Sequence, residues 1–305
     1  QRQMCIRDSP PPVHPRTLFF TALNFAFHLS EIYSCGHETQ TNPAAGVTPV
    51  ITVNDLNVTY GNTAAITNIN FTIPNPGIHG IIGPNGSGKS TLMKALVGLH
   101  PAANIRKNGQ RTRSNNGQPS ATVLLDGHTP GQVRKQIAYI AQRSDLDMNF
   151  PTNVLDTVLM GTYPSLGLLR RPTATHRAAA KKALEAVDMW EFHSRHISEL
   201  SGGQFQRILF ARAIVQDAKF VFLDEPFVGI DRPSERLIME QLRTLADGGA
   251  HVFIVHHDLN TVTDYFDDLL IMNQRLVAAG PTDQVFIPDN LKQAFGALII
   301  ESATA

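Results

Sequence analysis

The chain has 305 residues, of which 42% are hydrophobic, enough for one large domain with a sizeable core or two small ones. Its 26 basic and 26 acidic residues cancel, which argues against a nucleic-acid-binding protein, so no nucleic-acid partner is expected. Both cysteines, Cys5 and Cys35, lie near the start, which excludes a disulfide framework or a cysteine zinc site from the rest of the chain.

The first 49 residues are rich in Pro, His, Thr and Asn and show no hydrophobic period. They predict a disordered or non-native N-terminal extension, residues 1–49. The apolar run at residues 18–29, interrupted by Asn24 and His28, is shorter than the roughly 18–20 residues that a membrane-spanning helix needs. No membrane span is therefore expected.

From residue 50 onward, the pattern predicts strands and helices in alternation. Residues 50–61 and 64–73 alternate apolar and polar side chains, as half-buried strands do, and residues 77–83 form a short apolar strand that enters a glycine-rich loop. A helix is expected over residues 90–99. The polar segment at 102–121 is typical of a surface loop.

The second half of the chain predicts a parallel sheet. Strands are expected at 121–127 and 135–142, helices at 153–160 and 174–189, strands at 219–226 and 251–258 with a helix (233–246) between them, and a closing hairpin at 268–281. The strand–helix–strand order and the continuous apolar runs favour a doubly wound core.

The loop after the third predicted strand has the pattern G-x-x-x-x-G-K-[ST]. Its glycines allow backbone N–H groups to turn inward around phosphates, and the following helix adds its positive end. Lys89 is expected to reach the β- and γ-phosphates of a nucleotide, and the Ser90 hydroxyl to hold Mg²⁺. The predicted nucleotide-binding residues here are Gly83, Pro84, Asn85, Gly86, Ser87, Gly88, Lys89, Ser90 and Thr91.

Two acids end the buried strand FVFLDEP. A carboxylate at this position, Asp224, is suited to hold the water shell of the metal. The next carboxylate, Glu225, is suited to orient and deprotonate an attacking water. A kinase would not need this second acid, so the pair favours a nucleotide hydrolase.

The sequence ELSGGQFQR at residues 199–207 resembles the signature LSGGQ of the ATP-binding-cassette family, and the resemblance covers essentially residues 50–281. It implies that Ser201, Gly202 and Gly203 contact the γ-phosphate of ATP bound to the opposite subunit of a homodimer, and that Gln204 belongs to the same nucleotide-binding set. A Ser and two Gly before a helix also make an anion site on physical grounds.

Four further positions match the family in order. By resemblance, Tyr60 stacks on adenine, and Gln142 reaches Mg²⁺ and the attacking water. Asp231 crosses the dimer interface, although this chain has Gly-Ile-Asp where the family commonly has Ser-x-Leu-Asp. His257 senses the γ-phosphate and positions the water.

Two histidines are adjacent in the sequence VHHDL. The family's histidine directly precedes the aspartate, which selects His257 over His256. Together with His251 these residues could suggest a metal site. Strand geometry instead places His256 and His257 on opposite faces.

The resemblance implies an α/β fold: a P-loop NTPase (RecA-like) core with an antiparallel β subdomain and an inserted helical subdomain. The expected boundaries are 50–285 for the ATPase domain, about 143–210 for the helical subdomain and 286–305 for a C-terminal tail.

Three stretches, residues 144–163, 224–231 and 255–281, resemble the subfamily that imports manganese, zinc or iron, with manganese or iron favoured. This implies a homodimer that acts with an integral-membrane permease and, indirectly, with a periplasmic or surface metal-binding protein. The expected location is peripheral, on the cytoplasmic face of the inner membrane. The alternatives are a zinc or iron-chelate or haem importer ATPase, or a non-transport cassette ATPase.

Overall fold

A computed structural model describes residues 50–100, 122–142, 150–166 and 170–296. The predictions for residues 1–49 and for the loop at 102–121 lie outside these ranges. The strands are β1 Ile51–Tyr60, β2 Thr63–Ile73, β3 Gly77–Ile82, β4 Thr122–Leu125, β5 Ile137–Ile140, β6 Phe220–Leu223, β7 His251–Val255, β8 Asp268–Met272 and β9 Leu276–Pro281.

The helices follow the predicted pattern, and those expected after the glycine-rich loop and at 153–160, 174–189 and 233–246 are all present. They are α1 Lys89–Leu96, α2 Val154–Leu159, α3 Tyr163–Leu166, α4 Ala174–Ala186, α5 Gly202–Gln216, α6 Arg232–Asp247, α7 Val262–Tyr265, α8 Thr282–Val285 and α9 Pro288–Phe295. No helix in the described ranges is long and apolar enough to cross a membrane.

A small antiparallel sheet has the order β2-β1-β4. Its central strand β1 pairs Ile51 with Ile73 on one side and with Leu125 on the other. Ile51 and Val53 point inward and are buried, as the alternating sequence predicted. The antiparallel β subdomain implied by the family resemblance is therefore present.

The larger sheet has the order β5-β6-β7-β3-β8-β9 and is parallel except for β9, which runs antiparallel to β8. Every residue of β3, β6 and β7 is buried. Such continuous apolar strands are typical of parallel sheets that are covered on both faces. The predicted doubly wound core and closing hairpin are confirmed.

A layer of helices packs beside the sheet. Val158 of α2, Leu184 of α4 and Leu209 of α5 belong to one buried cluster that continues into Leu223 of β6. These helices occupy the segment for which the helical subdomain was expected, and the cluster attaches that layer to the parallel sheet.

The segment that was expected as a C-terminal tail includes α9. Ala294 in this helix is 2% exposed, and its carbonyl accepts a hydrogen bond of 3.0 Å from Asn273 Nδ2 in the β8–β9 turn. The described part of the chain therefore packs onto the sheet beyond residue 285.

Gly80 lies in the centre of β3, where a side chain has no room. An added Cβ would lie 2.7 Å from Phe266 Cδ2 and 2.8 Å from Leu269 Cδ1. We expect Gly80→Ala to lower the free energy of unfolding by about 1–3 kcal/mol through overpacking. Urea unfolding measures this. Gly131→Ala is the control, because a Cβ there would meet no atom within 4 Å; equal midpoints for the two variants would contradict the prediction.

Candidate functional site

A cavity of about 520 Å³ lies where the glycine-rich loop leaves β3. It gathers residues from the loop, from the ends of β5 and β6, from β2 and from the β8–β9 turn. In parallel sheets, ligands bind outside the carboxyl ends of the strands, and this cavity has that position. The lining residues are Thr63, Ala64, Ala65, Asn85, Gly86, Gly88, Lys89, Ser90, Thr91, Gln142, Glu225 and Gln274.

The shape of the loop depends on glycine at position 88. Gly88 precedes the first helical residue of α1 with a φ of 92°, in the left-handed region. A Cβ here would collide with Ile66 Cγ2 and would lie 2.9 Å from Ala65 O. Only glycine meets both requirements. The loop is thereby held close to β2, and the N-terminus of α1 opens onto the cavity, where its N–H groups favour an anion.

The ammonium of Lys89 is folded onto its own loop. Its Nζ donates to Gly83 O at 2.8 Å and to Pro84 O at 3.0 Å. Burial lowers the pKa of Lys89, while the carboxylates of Glu225 and Asp224 oppose this shift. The loop carbonyls thus hold a partly desolvated cation at the cavity wall, where it can meet phosphate oxygens.

Ser90 and Asp224 meet across the start of α1 and the end of β6. Ser90 Oγ donates to Asp224 Oδ1 at 2.9 Å, and Asp224 is 1% exposed. A hydroxyl and a carboxylate are hard oxygen ligands of the kind that Mg²⁺ prefers, and Ser90 faces the cavity. This donor set fits the predicted metal.

Glu225 and Gln142 are paired within the same cavity. Gln142 Nε2 donates to Glu225 Oε2 at 2.9 Å. Glu225 has a φ of 48°, a conformation that costs energy for a residue with a side chain. Such strain is concentrated at functional sites. The backbone thereby aims the carboxylate at the cavity beside the amide that orients it.

The two adjacent histidines point in different directions, as predicted. His256 is 2% exposed among Phe227 and Phe266, and its Nε2 lies 2.7 Å from Thr261 Oγ1. His257 is exposed. The described residues contain no group of three His, Cys, Asp or Glu side chains that could hold a metal. His251 lies at the other end of β7, where its Nδ1 is 3.0 Å from His79 Nε2.

Burial lowers the pKa of His256 to about 4, and the neighbouring His257 adds to the shift. The side chain is therefore neutral near pH 7 and belongs to the core. This leaves His257 as the histidine that a ligand can reach, although it is not among the described residues that line the cavity.

Tyr60 is placed beside the cavity and is not among the described residues of its wall. It is 47% exposed at the end of β1, and its register partner Thr63 does line the cavity. The Tyr60 hydroxyl lies 2.7 Å from His100 Nε2, with the two rings edge to face. The predicted base-stacking ring is thus held by His100 and lies opposite a strand residue that lines the cavity.

The signature residues form the N-terminus of α5. Ser201 Oγ accepts from the backbone N–H of Gln204 at 3.3 Å, and Gln204 Oε1 accepts from the Ser201 N–H at 2.9 Å. This capping box leaves Ser201 exposed. Gly202 and Gly203 begin the helix. Among the described residues, none of these four lines the cavity of its own chain.

Asp231 also caps a helix. Its Oδ1 accepts from Ser234 Oγ at 2.7 Å and its Oδ2 from the Ser234 N–H at 3.2 Å. These hydrogen bonds lower the pKa of Asp231. Among the described residues, Asp231 is not part of the cavity wall. Its predicted role across an interface would therefore not involve the phosphate loop of its own chain.

Gln274 was missed by the sequence reasoning. It lies in the β8–β9 turn with a φ of 56° and lines the cavity. Its N–H donates to Ser87 O at 2.9 Å, and its carbonyl accepts from the Thr67 N–H at 2.9 Å. The turn therefore ties the phosphate loop to β2. Its proximity to the loop arises only from the fold, and the sequence carried no signal for it.

A phosphate loop between a buried parallel strand and a helix, bonded through Ser90 to an acid at the end of β6, defines a P-loop nucleotide-binding protein. Residues 66–228 match the family model described as ABC transporter, and the chain belongs to this family. It is an ATP-binding subunit.

Two relatives and one solved structure illustrate the similarity. The manganese transport system ATP-binding protein MntB of Listeria innocua is 45% identical over 244 residues, which cover 80% of this chain and 95% of that protein. The zinc transport system ATP-binding protein TroB of Treponema pallidum is 43% identical and covers 82% and 88%. An inward-facing metal-chelate type ABC transporter superposes with a TM-score of 0.65 at 26% identity and covers 81% and 88%.

The pKa of His256 predicts a pH dependence of stability. Between pH 6.5 and 4 the unfolded histidine binds a proton that the folded one does not, so stability falls as pH decreases through this window. We expect His256 to contribute a loss of roughly 2 kcal/mol between pH 7 and pH 5. In His256→Gln the difference in unfolding free energy between these pH values should shrink by that amount in urea titrations.

The control for this prediction is His128→Gln, which removes an exposed imidazole that is not among the groups shifting the pKa of His256, and it should keep the wild-type difference between pH 7 and pH 5. A His256→Gln variant with an unchanged pH dependence would show that this histidine titrates normally in the folded protein.

Proposed function

We propose that this chain hydrolyses ATP to drive uptake of a divalent metal ion, manganese or iron, through a separate integral-membrane permease. The proposal that the cargo is manganese rests on the 45% identity to a manganese transport ATP-binding protein over 80% of the chain. Zinc is the second candidate, because a zinc system relative is 43% identical.

The phosphate loop is proposed to hold the triphosphate. Lys89 would exchange its carbonyl partners for β- and γ-phosphate oxygens. Gly83 to Thr91, apart from Pro84, which has no N–H, would supply inward-turned N–H groups at the positive end of α1. Tyr60 is proposed to stack on the adenine, since its ring stands beside the cavity wall formed by the start of β2.

Hydrolysis is assigned to Glu225, which would accept a proton from the attacking water while Gln142 orients it. The 2.9 Å contact between these side chains supports the pairing. Ser90, Asp224 and Gln142 are the proposed Mg²⁺ ligands, direct or through water. The metal would supply neutralisation of the negative charge that develops on the phosphates. His257 would sense the γ-phosphate.

A second copy of the chain is proposed to complete the site. Ser201 to Gln204 form a helix N-terminus whose capping residue Ser201 is exposed; it is suited to an anion and lies away from the cavity of its own chain. Asp231 lies at the N-terminus of another helix, α6. A homodimer in which each copy offers these residues to its partner's nucleotide would use both. The catalytic domain is assigned to residues 50–285, with the helical subdomain at about 143–210.

The remaining partners follow from this assignment. The permease would receive the helical subdomain, and a periplasmic or surface metal-binding protein would deliver the cargo, so the metal would not touch this chain. The subunit would lie peripherally on the cytoplasmic face of the inner membrane.

Replacing Glu225 with Gln removes the proposed base and keeps the size of the side chain. We expect hydrolysis to fall by about 100-fold or more while ATP binding persists, because one acid–base residue contributes about 10²–10⁴ to the rate. The variant should form a dimer that depends on ATP. Phosphate release and size-exclusion chromatography with ATP and Mg²⁺ measure the two effects.

The matched control is Glu240→Gln, which removes an exposed carboxylate from the middle of α6. It should hydrolyse ATP at the wild-type rate and elute as the wild type does. Normal hydrolysis by Glu225→Gln would refute the assignment of the base.

The cargo is tested by uptake. Cells that lack this chain should lose manganese uptake, and the wild-type chain should restore it. Lys89→Ala should fail to restore it, since this variant lacks the cation that meets the phosphates. Uptake of radioactive manganese, with zinc and iron as competitors, measures this. Restoration of zinc uptake alone would contradict manganese or iron as the cargo.

A further inference from the structure

The backbone around His257 is anchored on both sides. On the amino side, His256 is buried and its Nε2 lies 2.7 Å from Thr261 Oγ1. Thr261 Oγ1 in turn donates to Asp258 O at 3.3 Å. The exposed ring of His257 therefore projects from a short segment whose two ends are both held by hydrogen bonds.

On the carboxyl side, the Asp258 carboxylate makes two kinds of contact. Its Oδ1 accepts from the backbone and side-chain nitrogens of Asn260 at 3.1 and 3.0 Å. Its Oδ2 accepts from Arg232 Nη2 at 2.6 Å. Arg232 is the first residue of α6 and directly follows the capping residue Asp231. One ion pair thus joins the start of α6 to the residue after His257.

We propose that Arg232 is a positioning residue, whose ion pair with Asp258 fixes His257 relative to Asp231 and so couples the start of α6 to the γ-phosphate side of the site. This inference rests on the proposed roles of His257 and Asp231. It adds that His257 and Asp231 are joined within one chain by the Arg232–Asp258 salt bridge, whose partners are 26 residues apart in the sequence.

The geometry favours a fixed guanidinium over a mobile one. Arg232 Nη1 also lies 3.7 Å from the buried Glu235, one turn along the helix, so the side chain has acids on two sides. The hydrogen bond to Asp258 raises the pKa of Arg232. Burial works against ionisation of Asp258, but its hydrogen bonds from Asn260 and Arg232 lower its pKa. Both groups are charged at neutral pH.

The ion pair contributes little to overall stability. The Arg232 side chain is 60% exposed and that of Asp258 24%. Exposed pairs are weak and are screened by salt. A change in hydrolysis without a change in unfolding therefore separates positioning from a structural role.

The test uses the full-length chain and three arginine variants. Arg232→Gln should lower kcat for ATP hydrolysis by roughly 2–5-fold, the range of one exposed ion pair, with KM for ATP nearly unchanged. Arg232→Lys, which keeps the charge, should recover part of the loss. Arg236→Gln removes an exposed arginine from the same helix and should match the wild type. Thermal unfolding should be alike in all three.

Salt and a double-mutant cycle sharpen the result. Added KCl should lower the wild-type kcat towards that of Arg232→Gln and have less effect on the variant. Asp258→Asn combined with Arg232→Gln should lose no more than the larger single effect, because both changes remove one contact. Additive losses, or equal behaviour of the Arg232 and Arg236 variants, would overturn the proposal.

Separate variants test the proposed role of His257 and the proposed coupling through Arg232. If His257→Ala hydrolyses ATP normally, the proposed role of the histidine is wrong. If that variant is inactive while Arg232→Gln matches Arg236→Gln, the proposed function stands and the coupling through Arg232 does not.

Discussion

The register of the parallel sheet is the constraint on which the site depends. Ile140 pairs with Leu223, Leu223 with Ile254, and Ile81 with Val255, so four strands end at nearly the same level. The residues that follow each of these strands therefore lie at one edge of the sheet. Because β3, β6 and β7 are buried on both faces, a slip of one residue would exchange the side chains of the two covered faces and break the core.

This constraint explains why residues far apart in the sequence meet. The phosphate loop follows β3, Gln142 follows β5, the two acids follow β6 and the histidine pair follows β7. Each side chain needs only its local backbone to be aimed correctly. The left-handed conformation of Glu225 is one such local adjustment, and the glycine at position 88 is another.

Much of the fold followed from local patterns. Apolar runs predicted the buried strands, alternation predicted β1 and β2, and the glycine and lysine spacing located the phosphate loop. The opposite directions of His256 and His257 also followed, because side chains alternate along an extended chain and only one face of this strand end is covered. These features depend on neighbours within a few residues.

The features that the sequence did not predict depend on contacts between residues that are far apart in the chain. Nothing near Gln274 in the sequence indicates that its backbone bridges Ser87 and Thr67. The contact between Tyr60 and His100 spans 40 residues. Asp231 was expected at an interface. Its contacts with Ser234 show that it also caps a helix, which the family motif does not indicate. The roles of Tyr60 and Asp231 stay predictions, whereas the structure gives their positions.

The hydrogen bonds of Lys89 bear on how the product leaves. Its ammonium has acceptors within its own loop, Gly83 O and Pro84 O, so a phosphate that bound it as proposed would replace one pair of partners with another. The gain in binding is the difference between the two sets of bonds, smaller than the full attraction of an ammonium for a phosphate. In the proposed cycle, the carbonyls would receive the cation again once the terminal phosphate has been cleaved and has departed. In this proposed role of Lys89, the loop would limit its own affinity for phosphate and favour release of the product.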